Sequence, residues 1–149
     1  MTGQKNEDWE YGLTLDREAT TVATGPVMLG EGNFKYEVSG KNWGNLPDDW
    51  VYKEATAVAV NSNDQVYVFN RGTHPMIIFD RSGDVDSYWG DGVFANPHGV
   101  TIGPDDEVYC IDNGDSTIRK FTSDGKLLLT LGTPHKPSTK MSGEPFNRP

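Results

Sequence analysis

Short alternating runs of apolar residues, each closed by a polar turn, fill the second half of the chain. "VAV" (58–60), "VYVF" (66–69), "MIIF" (76–79) and "DSYWG" (86–90) succeed one another. They are rich in β-branched and aromatic residues and too short for helices, and period-2 alternation of this kind marks half-buried strands. The intervening "NSNDQ", "DRSGD", "PDDE" and "TSDGK" consist of the Asn, Asp, Ser and Gly residues that tight turns require. From residue 52 onward the pattern therefore predicts an antiparallel, all-β chain with a first strand over 56–60 and a second over 65–70. Earlier, "FKYEV" (34–38) alternates like a strand, and "YGLTL" (11–15) and "TTVATGPVML" (20–29) are candidates for two more. Residues 1–10 carry no pattern and are expected to fray.

The pattern repeats. Residues 55–90 align without a gap on residues 97–132, a shift of 42 residues, pairing Val58 with Val100, Asp64 with Asp106, Tyr67 with Tyr109, Gly72 with Gly114, Phe79 with Phe121, Gly83 with Gly125 and Gly90 with Gly132. A period of roughly 40 to 45 residues suggests a propeller blade or a helical repeat, and strands rather than helices fill this one. Each repeat is predicted to be one four-stranded antiparallel blade. "FANP" (94–97) recurs as "FNRP" (146–149), the opening of a further blade, after a polar, Pro-rich stretch expected to be exposed and mobile. The expected organisation is an N-terminal segment, 1–33, then blades over 34–149: one over 52–93, one over 94–145, and the start of another at 146–149. The N-terminal strands are candidates for one more. Two tryptophans in "GKNWGNLPDDW" (40–50) are expected to be packing anchors.

Composition narrows the function. With 149 residues the chain is long enough for a real core. A formal net charge of −9 argues against binding nucleic acid or an anionic membrane, because phosphate neutralisation needs clustered Lys and Arg. No apolar run approaches the roughly 18 residues of a membrane-spanning helix, and the N-terminus is not a secretory signal, which leaves the location open. Cys110 is single, cannot form an intrachain disulfide, and lies in an alternating stretch that buries it. No phosphate loop, CxxC motif or Ser–His–acid pattern is present.

The candidate chemistry lies at strand ends. If the first strand of a blade leaves one rim, the second returns to it. Arg71, just past a second strand, and His98, just before the next blade's first strand, then share a rim in neighbouring blades. The repeat places Thr56 where His98 stands and Asn113 where Arg71 stands, so the scaffold itself demands neither His nor Arg. A guanidinium there suits a carboxylate ligand. The alternative partner is a rim carboxylate, Asp112 or Asp115. His98 either binds a ligand or hydrogen-bonds a loop. His74 is expected to cap a turn and His135 to be solvated. "DNGDS" (112–116) lacks the spacing and closing Glu of a calcium loop.

The stretches "DQVYVFNRGTHPMIIFDRSGDVDSYWG" and "FANPHGVTIGPDDEVYCID" resemble NHL-repeat β-propellers, and among these the peptidyl-α-hydroxyglycine α-amidating lyases and their bacterial relatives. The resemblance covers roughly residues 34–149. It implies a six-bladed ring that cleaves a carbinolamide to an amide and glyoxylate, with a zinc held by three histidines and a structural calcium in the channel. By motif, His98 of "NPHG" corresponds to a zinc ligand, Arg71 of "FNRG" to the catalytic arginine, and Val58 and Val100 to positions whose backbone carbonyls contact calcium. The other two zinc histidines, the tyrosine and the calcium-binding aspartate of the family would fall in later blades. Six blades of 42 residues need roughly 250, so the ring is expected to be incomplete in this chain. It would be completed by a missing remainder of the propeller, by a homo-oligomer of the chain itself, or by another polypeptide. Against a metal-dependent lyase stands the alternative of a non-catalytic scaffold or binding module that self-assembles through blade edges.

Overall fold

The computed structural model describes residues 27–38, 43–147 and 149. The chain divides between Lys41 and Asn42 into two units. The first holds a hairpin of β1 (Val27–Leu29) and β2 (Tyr36–Val38), paired antiparallel with Leu29 opposite Tyr36. Strands thus occur within "PVML" and "FKYEV", whereas "YGLTL" and residues 1–10 lie outside the described residues.

The second unit consists of two blades. The first is a sheet of β3 (Ala55–Val60), β4 (Val66–Asn70), β5 (Met76–Phe79) and β6 (Val85–Trp89), hydrogen-bonded in that order. The second contains β7 (Pro97–Ile102), β8 (Val108–Asp112), β9 (Thr117–Phe121) and β10 (Leu127–Leu131), likewise in order. All neighbours are antiparallel, and no helix occurs among the described residues. The all-β, blade-type architecture expected from the repeat is the observed one.

The repeat extends to irregularities that the apolar pattern does not show. β3 skips a residue between Ala55 and Ala57, and β7 skips one between Pro97 and Gly99. Thr56 and His98 are thus the extra residues of equivalent β-bulges. Asp86 and Leu128 are skipped in the same way on the two outer strands. Asp64 and Asp106 both adopt φ 60 in matching turns, a conformation that Asp tolerates better than most residues.

The core lies between the blades. Tyr67, Phe69, Met76 and Ile78 of the first blade pack on Val100, Val108, Cys110 and Phe121 of the second. Phe94, in the linker, stands edge-on to Phe69 at 4.8 Å between centroids. Trp89 ends the first blade and lies over the β9–β10 turn of the second, where its ring faces Phe121 at 4.9 Å and its Nε1 donates to the Ser123 carbonyl at 3.2 Å. Trp43 makes the matching contacts with the first blade, facing Phe79 at 5.4 Å and donating to the Arg81 carbonyl at 3.2 Å. Trp50 stacks on His74 at 4.0 Å and meets Tyr88 edge-on at 4.7 Å. Both tryptophans of the 40–50 stretch are packing anchors.

The two blades differ in one face. Tyr67, Phe69, Met76 and Ile78 are at most 2% exposed, but their repeat counterparts Tyr109, Ile111, Ile118 and Lys120 are only half-buried. Leu127, Leu128, Leu129 and Leu131 of the outer strand are exposed as well.

Candidate functional site at the blade rim

The site is built by two buried side chains at the ends of second strands. Asn70 closes β4 and is wholly buried. Its Oδ1 accepts the Gly72 N–H at 2.7 Å, and its Nδ2 donates to the His74 carbonyl at 2.8 Å. This holds the 71–75 turn. A Cβ on Gly72 would lie 2.6 Å from Asn70 Oδ1, so the turn closes only around glycine. Asp112 does the same for β8 and more. It accepts N–H bonds from Gly114 at 2.9 Å, Asn96 at 2.9 Å and Ala95 at 2.6 Å. Residues 95 and 96 lead into β7, so Asp112 fixes the approach to His98. The cap expected of His74 belongs to Asn70. The His74 ring lies on Trp50 and meets Tyr88 edge-on, the three rings in mutual contact, and its Nδ1 lies 3.2 Å from Asp91.

Arg71 follows this turn. Its backbone N–H donates to the Glu54 carbonyl at 3.0 Å. Its NH1 donates to Glu54 Oε2 at 2.5 Å, and its Nε donates to the Pro97 carbonyl at 3.1 Å. Pro97 immediately precedes His98, so the guanidinium of one blade is hydrogen-bonded to the residue that introduces the histidine of the next. The carboxylate partner of Arg71 is therefore Glu54, not Asp112 or Asp115. Those two face Arg119 instead. Asp115 bonds its NH2, and Asp112 lies 3.7 Å from its NH1. Arg119 is 9% exposed, and burial commits both aspartates to neutralising it. They are not free as cation ligands.

His98 is exposed, and as the bulged residue it stands outside the ladder. Thr56, at the same place in the first blade, turns its Oγ1 back to the Phe69 carbonyl at 3.1 Å. His135 is exposed, with φ 60 and its N–H on the Asp115 carbonyl at 2.8 Å. A zinc site requires three or four ligands. Among the described residues no three His, Cys, Asp or Glu side chains are grouped to hold a metal ion. The described residues therefore do not by themselves fit a resident zinc. Val58 is 63% and Val100 9% exposed.

Two clefts open beside these groups. One of about 490 Å³ is lined by Val51, Lys53, Arg71, Gly72 and Thr73. The other, about 750 Å³, lies one blade along, where Asn113 replaces Arg71, and is lined by Asn96, Asn113, Ser116 and His135 among others. Cys110 lies away from both clefts, fully buried in the inter-blade core, and burial raises its thiol pKa far above the ordinary value. It is structural.

Two signals escaped the apolar pattern. Glu54, adjacent to the first strand, is one residue in a charged stretch with nothing to mark it. Asn70 and Asp112 are visible only when the two repeats are superposed, because both end a second strand.

Residues 94–121 match the NHL repeat family model. A stretch of 71 residues is 38% identical to peptidyl-alpha-hydroxyglycine alpha-amidating lyase 1 of Drosophila melanogaster and covers 46% of this chain. It spans 13% of the length of that relative. The chain carries an NHL repeat, folds into NHL-type β-propeller blades, and is similar over part of its length to an amidating lyase.

Proposed function

We propose that these blades supply the anion-binding half of an amidating-lyase-type rim, in which Arg71 orients a substrate carboxylate and His98 stands beside it. The observation that carries this reading is the bond from Arg71 Nε to the Pro97 carbonyl at 3.1 Å, which brings Arg71 up to the base of His98 across a blade boundary. With Nε on Pro97 and NH1 on the exposed Glu54 carboxylate, NH2 has no partner among the described residues, and the outer edge takes a ligand carboxylate in exchange for Glu54. It would also stabilise negative charge as a carbinolamide collapses. In this reading His98 is one ligand of a zinc, and the carbonyls of Val58 and Val100 belong to a calcium site. The remaining ligands would come from outside the described residues, and no step is assigned to either metal. The test is glyoxylate release from a peptide ending in α-hydroxyglycine, with metal analysis of the purified protein. Release that Arg71→Ala abolishes supports the proposal, and release no faster than the uncatalysed reaction refutes it for this chain.

The half-buried face of the second blade favours a second reading, a non-catalytic module that self-associates. Tyr109, Ile111, Ile118 and, opposite Lys120 and Ile118, Leu129 and Leu131 of β10 form a largely apolar surface of the kind that marks interfaces. Light scattering decides it: a defined dimer or trimer supports association, and a monomer at all concentrations excludes it.

A further inference from the structure

We infer that Glu54 is a tethered competitor for Arg71, an internal carboxylate that holds the guanidinium in place and yields it to a small carboxylate entering the adjoining cleft. The inference rests on the carboxylate reading of Arg71 and adds a site and a gate to it. Glu54 grips Arg71 twice, by its backbone carbonyl to the Arg71 N–H at 3.0 Å and by Oε2 to NH1 at 2.5 Å. The first bond fixes the main chain. The second is made by a side chain that is 55% exposed, against 29% for Arg71. An ion pair this exposed is weak and exchanges readily with solvent ions. The bond from Nε to Pro97 does not depend on Glu54, so the guanidinium keeps its place when the carboxylate leaves.

The surroundings favour an incoming anion. NH2 of Arg71 has no hydrogen-bond partner among the described residues. The cleft at this edge, about 490 Å³, is lined also by Lys53, Thr73, Gly72 and Val51. It therefore brings a second cation and a hydroxyl to the same space, and Lys53 makes no ion pair among the described residues. Two cations against one carboxylate leave the cleft with a net positive charge in a chain whose formal charge is −9. A ligand with one carboxylate on a short apolar stem fits a lining that combines Arg71 and Lys53 with Val51.

Acetate is the probe, titrated into the ¹⁵N-labelled protein while the Arg71 Nε–H resonance is followed, and in every variant, Arg71→Ala included, the backbone N–H resonances of the cleft residues Gly72 and Thr73. The expected result is a saturable shift of these resonances, with acetate bound about 1.5-fold to fivefold more tightly by Glu54→Gln than by the native protein. Glu54→Asp, whose carboxylate reaches less far, should fall between them. If Glu54→Gln binds acetate no better than the native protein, or worse, Glu54 only positions Arg71 and the inference is overturned. A separate outcome bears on the underlying reading: if Arg71→Ala binds acetate as well as the native protein does, Arg71 is not the anion site and both fall together. Loss of binding in Arg71→Ala without tightening in Glu54→Gln removes the competitor alone. Glu54 is exposed and outside the core, so its variants report on the site and not on folding.

Discussion

Trp89 offers the most quantitative check on how the blades are joined. It contacts the second blade in two ways, through its ring on Phe121 and through its Nε1 on the Ser123 carbonyl, and the turn beneath it leaves no room for a side chain. A Cβ on Gly125 would stand 2.6 Å from the Trp89 ring, and Gly125 adopts φ +87. Trp89→Ala removes a partly buried indole, so the cost falls below the roughly 3–5 kcal/mol of a fully buried one, at about 2–3 kcal/mol. Gly125→Ala alone meets both the left-handed backbone and the indole, and should cost about 2–4 kcal/mol. In the Trp89→Ala background the ring clash disappears, the Cβ retained at position 89 still stands 3.0 Å away, and mainly the backbone part remains, about 1–2 kcal/mol. The two losses should therefore fail to add, with a coupling of about 1–2 kcal/mol. Urea unfolding followed by far-ultraviolet circular dichroism, with an unchanged m-value, measures all four corners of the cycle. Strict additivity would show that Trp89 does not rest on Gly125 and would refute the packing argument. Trp43 repeats the arrangement over Gly83 but is 42% exposed, so Trp43→Ala should cost less, about 1–2 kcal/mol.

Other consequences are simpler to state. Asp112→Ala strands the N–H groups of Ala95, Asn96 and Gly114 and leaves buried Arg119 short of a carboxylate, so a loss of about 3–5 kcal/mol is expected in the same unfolding assay. Asp112→Asn, which copies Asn70, should cost clearly less. Burial raises the Cys110 thiol, so the folded state keeps its proton where the unfolded state loses it. Its contribution is therefore complete below the ordinary thiol range and is lost as pH rises through about 8.5 and beyond, and Cys110→Ala should flatten that decline. Bonds from Ser62 lower the Asp106 carboxyl, so the bridge between the two blades is present above the ordinary carboxylate range and lost as pH falls below it. An NMR titration of Asp106 that shows no depression would refute this.

The blades were legible because a strand pattern that repeats at 42 residues leaves few architectures open, and the turns carry their own Asp and Gly markers. The sharing of a rim by Arg71 and His98 followed from alternating strand direction alone. What pairs with Arg71 did not follow. A shared rim suggested the aspartates Asp112 and Asp115, but these sit one blade along and are drawn down to Arg119, whose burial leaves them no choice. The bulges at Thr56 and His98 were hidden for a different reason. Alternation is read from apolar positions, and an extra residue at a strand's first turn shifts no apolar position after it. His74 was misread because a ring clustered with a Trp and a Tyr depends on a loop that approaches from 24 residues earlier.

The bulge at His98 separates two burdens that most strand residues carry together. A residue in the ladder must keep its sheet in register, and changing it disturbs its neighbours. The bulged residue is excused from that duty, and the first blade shows as much by holding Thr56 at the same point with the sheet intact. Each blade thus offers one interchangeable socket at its rim, where a new side chain can be tried at little structural risk. Variation of chemistry between relatives of this fold is expected to concentrate there, while the buried Asn or Asp behind each socket stays constrained.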